Sequence, residues 1–480
     1  MKIAKSTPFE GKPIINMPSV YGGCTGKEMI CRIPVIGKRP IYINATGLPE
    51  GLKIDNGIIT GVIAQDCQFK VQIFAENELG TATSEVEFKI HEDTMLLTPL
   101  MGFTSWNAFG SRVSQKKMEN TAESLIERGI ADYGYQYINI DSGWQKEYGG
   151  EFDAIMPNEK FPDMQGFCEK MHAVGLKCGI YSTPMINAWG CPEELPFIPG
   201  CTRGEPNLLF TYQGNGVGME RMEENNVKQW EKWGIDYLKY DWWPSEPVNA
   251  DYMKKALLKA NREIAFCVTV DANFGYYKYW GKNCCSWRCN KDSIDMWDNV
   301  KRYLRLEYLC LVDGSGIERW KDAVSQGHYY DLDMLEIGAT VWNEGHSRLT
   351  ENEAIFAYTL RAFFLSPIQL SCEIDKLTEF EFDLITNEEI IKINQDSLAD
   401  YPDLYSKNET EDVLVYKRQL ENGDTAFAIF NISEEEKIQV LDLQEFTAVC
   451  DLWTKTNLIP EKEFKFVVEP HCAIVLRASR

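Results

Sequence analysis

The feature that most constrains this chain is a rhythm. Between about residues 96 and 397, short apolar runs alternate with longer amphipathic segments rich in charge. The runs include PLMGFTSW (99–106), QYINIDSGW (136–144), KCGIYSTP (177–184), YLKYDWW (237–243), IAFCVTVD (264–271) and FFLSPIQLS (363–371). Between them lie helical patterns such as QKKMENTAESLIERG (115–129) and GMERMEENNVKQWEKWG (218–234). A short apolar run bounded by turn residues reads as a buried strand, and apolar positions at i, i+3 and i+4 read as a helix. Strands alternating with helices specify βα units and a parallel sheet. Roughly 300 residues in this rhythm fit one (β/α)8 barrel better than two smaller domains.

The flanks have a different texture. GLPEGLKIDNGIITG (47–61) is punctuated by Gly and Pro, and FKVQIFAENELGTATSEVEFKIHE (69–92) alternates apolar and polar residues around a turn at Glu78–Gly80. That is a hairpin on a half-buried sheet. The phrase GLPEGLKID…GIITG resembles a bacterial immunoglobulin-like module. After residue 410 the chain turns β again, with EDVLVYKRQLENGDTAFAIFNIS folding back at Asn422–Gly423. At 480 residues the chain exceeds what one core usually serves. The expectation is a multidomain α/β protein. It has an immunoglobulin-like β-sandwich over 1–93, a central (β/α)8 TIM barrel over 94–400, and a C-terminal antiparallel β-sandwich over 401–480.

Composition excludes some classes. A net charge of −23 disfavours nucleic acid and anionic membranes, which reward clustered Lys and Arg. No window approaches the apolar length of a transmembrane helix, and the first twenty residues lack a signal-like apolar stretch. The 15 Cys are scattered, without CxxC or zinc spacing, so they read as reduced, mostly buried thiols of a cytoplasmic protein. The 13 Trp suit a core, and also suit a site that stacks sugar rings.

In a (β/α)8 barrel the side chains at the C-terminal strand ends converge on one face. The polar residues that close the apolar runs are Trp106 with Asn107, Asp141, Tyr181, Lys239 with Asp241, the Arg288–Asp292 region, and Asp333. Clustered carboxylates raise one another's pKa and a neighbouring cation lowers it, so a pair pushed apart can serve as acid and nucleophile. Two carboxylates beside aromatic surface are the hardware of glycoside hydrolysis.

TPLMGFTSWNAFG (98–110), YGYQYINIDSGWQ (133–145), GLKCGIYS (175–182) and WGIDYLKYDWW (233–243) resemble glycoside hydrolase family 27, as do SWRCNKD (286–292), DLDMLEIG (331–338) and ITNEEIIKINQD (385–396). This is the α-galactosidase and α-N-acetylgalactosaminidase family, retaining enzymes on a (β/α)8 barrel with a C-terminal β domain. The resemblance covers about residues 96–480 and leaves the N-terminal module outside. It implies Asp241 as nucleophile and Asp292 as general acid/base. It implies sugar contacts from Trp106, Asp141, Tyr181, Lys239, Arg288 and Asp333. Asp241 must be ionised, helped by Lys239, and Asp292 must hold a proton. No metal or organic cofactor is required, and the expected partner is a small oligosaccharide or glycoside.

Three departures bear on the substrate. Galactose-acting members usually carry a second Asp where this chain has Ser142, and that carboxylate helps grip the sugar. The segment that shapes the pocket at the sugar's 2-position reads FCVTVDANFG (266–275), where Thr269 or Asp271 could fill that role. The motif around the acid is WRCNKD; Lys291 either lowers the pKa of Asp292 or faces solvent. Trp243 stands where some secreted members place a disulfide Cys.

Plainer readings stand beside these. Asp241 could be a structural ion-pair partner of Lys239, and Asp292 a loop carboxylate near Arg288. Asp141 and Asp333 could support the site from behind. Trp106, Trp242 and Trp243 all fit a core; Trp106 is the one favoured for the site, and Trp242 fits core or site equally. QGNGVG (213–218) reads as a loop entering a helix, since it lacks the GK[ST] ending of a phosphate loop. Cys191 and Cys201 read as idle thiols and His328 as structural. The leading function is hydrolysis of terminal α-D-galactosides. Alternatives are the same mechanism on α-N-acetylgalactosaminides, β-L-arabinopyranosides or isomaltose-type α-glucosides, transglycosylation, or a non-catalytic sugar-binding barrel. The N-terminal module is expected to pack on the barrel or to associate copies into a homo-oligomer.

Overall fold

The computed structural model describes residues 1–6, 10–184, 221–242, 245–269, 272–288, 290–304 and 316–480. Eight parallel strands form the central sheet: Met101–Thr104, Tyr137–Ile140, Lys177–Ser182, Tyr237–Asp241, Ala265–Thr269, Ser286–Arg288, Tyr329–Asp331 and Ile368–Leu370. They pair in chain order, and the first also pairs with the eighth. Leu335 closes the ring. Its N–H donates to the Gln369 carbonyl at 2.8 Å, and its own carbonyl accepts from Ser371 N–H at 3.3 Å. The result is a (β/α)8 barrel, as the alternating rhythm requires.

The strands are buried almost throughout because helices cover their outer faces. Helices Gln115–Glu127 and Glu223–Trp233 fall within the two segments patterned for helix. Ser114 caps the first through Lys117 N–H, and Gly234 ends the second in the left-handed region. Helix Glu351–Phe363 is buried on nearly every side. It begins at a capping box, Thr350 with Glu353, which satisfies backbone donors that burial would otherwise leave unmet.

A polar layer fills the barrel interior. Asn139 Nδ2 donates to Gln369 Oε1 at 3.0 Å, and Gln369 Nε2 reaches the Tyr237 hydroxyl at 3.4 Å. Gly179 makes room for this layer. A β-carbon there would sit 1.9 Å from Asn139 Oδ1 and 2.7 Å from the Tyr237 ring.

The N-terminal β-sandwich pairs a four-stranded with a three-stranded sheet; its hairpin runs Cys67–Asn77 to Gly80–His91. It docks at the barrel end where strands begin. Arg32 and Arg39 both reach Asp132, the first at 2.7 Å. Arg262 joins Glu28 at 2.5 Å to Asp236 at 2.8 Å, and Glu263 accepts Cys24 N–H at 2.6 Å. The C-terminal six-stranded antiparallel sheet faces a two-stranded one, Lys437–Leu441 with Phe464–Val468. Its central strand Thr425–Asn431 is buried on both faces, because Phe427 and Ile429 fill the sandwich while Ala428 and Phe430 join the barrel core.

Gly179→Ala is expected to destabilise the protein by about 1–3 kcal/mol through overpacking, read as a lower urea midpoint at unchanged slope. An unchanged midpoint would mean that the Asn139 layer yields freely.

Candidate active site

Strand alternation decides which side chains enter the open end. Lys239 and Asp241 are two apart on the fourth strand and share a face. Lys239 is level with Tyr181 on the third strand, and Asp241 with Thr269 on the fifth. The Tyr181 hydroxyl donates to Asp241 Oδ2 at 2.9 Å. Lys239 Nζ donates to Asp141 Oδ2 at 2.7 Å and stands 5.7 Å above the Tyr181 ring. Asp141 is fixed in turn by its own N–H to Ser105 Oγ at 2.9 Å, and by Ser142 N–H to its Oδ1 at 2.7 Å. The plain reading of Asp241 as the ion-pair partner of Lys239 therefore fails, since Lys239 pairs directly with Asp141.

The opposite wall is built on Arg288, which ends the sixth strand and is 3% exposed. Its Nη1 lies 2.9 Å from Asp333 Oδ1, and its Nη2 donates to Asp292 Oδ1 at 2.7 Å. Asp333 Oδ2 accepts Ser293 N–H at 2.6 Å. Asp333 has φ 71, the left-handed region that non-glycine residues seldom occupy. Arg361, buried on the helix behind, holds this backbone. It donates to the carbonyls of Leu332 at 3.1 Å, Asp333 at 3.1 Å and Met334 at 2.9 Å.

Charge sets the two candidate catalytic carboxyls apart. Burial pushes Asp241 up to about 6, against the pull of Lys239, Arg288 and the Tyr181 hydrogen bond; Asp292 adds to the rise. Arg288 holds Asp292 below the usual carboxylate range, with Lys239 and Arg302 assisting. The Asp292 side chain is 76% exposed, so water screens these attractions. Lys291 is exposed, and the cations that lower Asp292 are others. The sequence expectation gave the proton to Asp292 and the charge to Asp241; at about 6 Asp241 is still mostly ionised at pH 7, while the resting site favours the anion of Asp292 as well. The cause is the reach of Arg288, whose Nη2 clamps Asp292 as an anion.

Trp106, in the short helix Ser105–Phe109 that follows the first strand, lies 6.2 Å from Trp342 ring to ring. Ser142 is buried, and its hydroxyl has no partner among the described residues; the same holds for Thr269 Oγ1. Trp242 is core, tilted against Tyr240 at 5.1 Å. His328 sits at the start of the seventh strand, bonded to the Cys284 carbonyl, away from the open end. Asp271, Trp243, Cys191, Cys201 and the 213–218 loop lie outside the described residues. The site thus gathers Asp141, Tyr181, Lys239, Asp241, Arg288, Asp292 and Asp333 through direct contacts or mutual charge effects.

Sequence reasoning missed three supports. Arg361 carries no motif. Asp331 accepts Asp333 N–H at 2.7 Å and is raised by burial, and then by Asp333, to about 6. Glu336 accepts from Asn107 at 2.6 Å and rises to about 8, chiefly through burial. The signal for these two was DLDMLE (331–336), three carboxylates at the rim of one strand. At the barrel's other end His172, Cys178 and Asp236 have metal-like spacing. Arg262 occupies that cluster, 2.9 Å from Asp236 Oδ1 and 3.2 Å from His172 Nε2.

Comparison with known proteins agrees with this fold. The family model "Alpha galactosidase A" matches residues 98–195 and 210–396, and that of the alpha galactosidase C-terminal beta sandwich domain matches 410–478. Alpha-galactosidase 2 of Arabidopsis thaliana is 26% identical over 400 residues, covering 80% of this chain and 90% of its own. The crystal structure of a candidate alpha-galactosidase/melibiase from Bacteroides fragilis superposes with a TM-score of 0.83 at 27% identity, covering 98% of both chains. A β-L-arabinopyranosidase from Geobacillus stearothermophilus shares the fold at TM-score 0.66 and 21% identity, over 80% of this chain and 97% of its own. The chain therefore belongs to the alpha galactosidase A family, glycoside hydrolase family 27, and is a glycoside hydrolase acting on O-glycosyl bonds.

Proposed function

We propose that this enzyme is a retaining exo-glycosidase that releases terminal α-D-galactosyl residues, with Asp241 as nucleophile and Asp292 as general acid/base. The observation that carries the reading is the placement of Asp241. It ends the fourth barrel strand with Tyr181 on one carboxylate oxygen, between the Lys239–Asp141 pair and the Arg288–Asp292–Asp333 cluster. Asp241 attacks the anomeric carbon and the glycosidic C–O bond breaks. Asp292 gives its proton to the leaving oxygen, then takes one from the water that cleaves the glycosyl ester. Asp292 donates only once Arg288 releases it, so turnover on this reading includes an opening of that ion pair. Trp106, Asp141, Tyr181, Lys239, Arg288 and Asp333 then orient the sugar.

A second reading keeps the mechanism and changes the sugar to an α-N-acetylgalactosaminide, a β-L-arabinopyranoside or an isomaltose-type α-glucoside. Ser142 favours it, being a short buried hydroxyl with no partner among the described residues where galactose-acting members usually have a carboxylate. One charge-assisted hydrogen bond, about 1.5–3 kcal/mol, is enough to shift preference between such sugars.

Nitrophenyl glycosides of all four sugars, run beside Asp241→Asn, test both readings. Turnover of the α-galactoside, reduced by at least about 10³-fold in the variant, is the expected result. Turnover of another sugar alone selects the second reading, and equal rates in variant and wild type remove Asp241 as nucleophile.

Two pH effects accompany the raised pKa of Asp241. Activity needs Asp241 ionised and Asp292 protonated, and Arg288 holds Asp292 below Asp241, so kcat/KM should stay level just below about 6 and fall about tenfold per pH unit above it. The folded state also holds this proton to higher pH than the unfolded chain, so Asp241 weakens the fold as pH rises from about 4 to 6. Asp241→Asn should then stabilise the protein by up to about 3 kcal/mol at pH 8 and hardly at all at pH 4, read by urea unfolding.

A further inference from the structure

Exposed apolar side chains stand on two bonded loops at the open end, one of them the loop of Asp292. Ile294 and Met296 follow it in the same loop and are 39% and 46% exposed. Trp342, 50% exposed, stands on the loop after Gly338. Asp295, buried between Ile294 and Met296, ties the two loops together. Its Oδ2 accepts from Asn343 Nδ2 at 3.1 Å and from Arg348 N–H at 2.9 Å, its Oδ1 accepts from Arg348 Nε at 2.7 Å, and its own N–H donates to Glu336 at 3.1 Å. Trp342 is fixed independently. Its Nε1 donates to Asn107 Oδ1 at 3.1 Å, and its ring leans on Trp106. A large ring held at both its polar and apolar ends, yet half in water, has been ordered before any ligand arrives, which lowers the entropic cost of binding to it.

Chemistry says what such a surface faces. A general acid protonates the leaving oxygen, so the aglycone lies on its side of the scissile bond. We propose that Trp342, Ile294 and Met296 form an aglycone platform that takes a flat apolar face, either an aryl ring or the C–H face of a second pyranose. The proposal rests on the reading of Asp292 as acid/base. Asp295 serves as a positioning residue that keeps the two halves of the platform in register. The sugar contacts require no such surface, whereas discrimination among leaving groups does.

The test compares kcat/KM for 4-nitrophenyl α-galactoside, galactosyl-α-1,6-glucose and α-galactosyl fluoride, whose leaving group carries no ring. In Trp342→Ala, the ratio of either ring-bearing substrate to the fluoride should fall roughly three- to tenfold, the scale of one lost aromatic contact. Trp342→Phe should restore most of it, and Met296→Ser should give a smaller fall. A fall for the nitrophenyl substrate alone identifies an aryl site; a fall for the disaccharide alone identifies a sugar site. Unchanged ratios in both Trp342→Ala and Met296→Ser overturn the platform. Failure of the wild type on all three substrates would overturn the galactosidase reading instead. The platform is then decided by calorimetry on Asp241→Asn, where Trp342→Ala should weaken 4-nitrophenyl α-galactoside more than free galactose. Equal weakening of the two, or binding of neither, would overturn it.

Discussion

The open end of the barrel is organised around one buried guanidinium. Arg288 joins the sixth strand to Asp333 beyond the seventh and to Asp292 on its own loop. A buried cation costs several kcal/mol of lost hydration, and only well-made carboxylate contacts offset it. Removing either partner would strand a charge, so the cluster fixes three chain segments at once. The constraint continues backward: Asp333 can meet Arg288 because its backbone is left-handed, and Arg361 holds that backbone by three consecutive carbonyls. Helix Glu351–Phe363, wedged between barrel and C-terminal sandwich, thereby supports the site from behind through the backbone of Asp333.

Lys239 and Asp141 make the matching pair on the opposite wall, and Asp241 lies between the two. Its carboxyl feels a cation from each side, yet burial outweighs both and leaves it protonating at about 6 rather than near 4. Asp292, exposed and bonded to Arg288, goes the other way. The two acids part because Arg288 bonds Asp292 directly, whereas at Asp241 the loss of water outweighs the same cations.

Much of this was legible in the sequence. Strand and helix alternation gave the barrel, because a strand buried on both faces has a distinctive apolar run and a helix a distinctive period. The residues at the ends of those runs gave Asp141, Tyr181, Lys239, Asp241, Arg288 and Asp333, since topology alone sends strand ends to one face. Pairing was not legible. Lys239 and Asp241 are two apart, yet Lys239 bonds Asp141, about a hundred residues earlier, because sheet register and not sequence distance decides who meets. Arg361 was invisible for a similar reason: a lone arginine in an apolar helix has no local partner, and its carbonyl targets come from another segment. The pKa order of the two acids could not be read from residue types, because it depends on which carboxyl Arg288 reaches and on how deeply Asp241 is buried.

The N-terminal module has a consequence of another kind. It sits where the strands begin, joined through Asp132, Asp236 and Glu263, so the barrel is braced at the end that does no chemistry. A ring of parallel strands resists shear only as well as its rims are held. With one rim pinned by a separate folded body and a flank backed by the C-terminal sheet, the loops at the free rim carry little of the mechanical load. They can lengthen, shorten or exchange side chains without loosening the frame. Ser142, Thr269 at the end of the fifth strand and Asp292 all stand at that free rim, apart from the end that the N-terminal module pins.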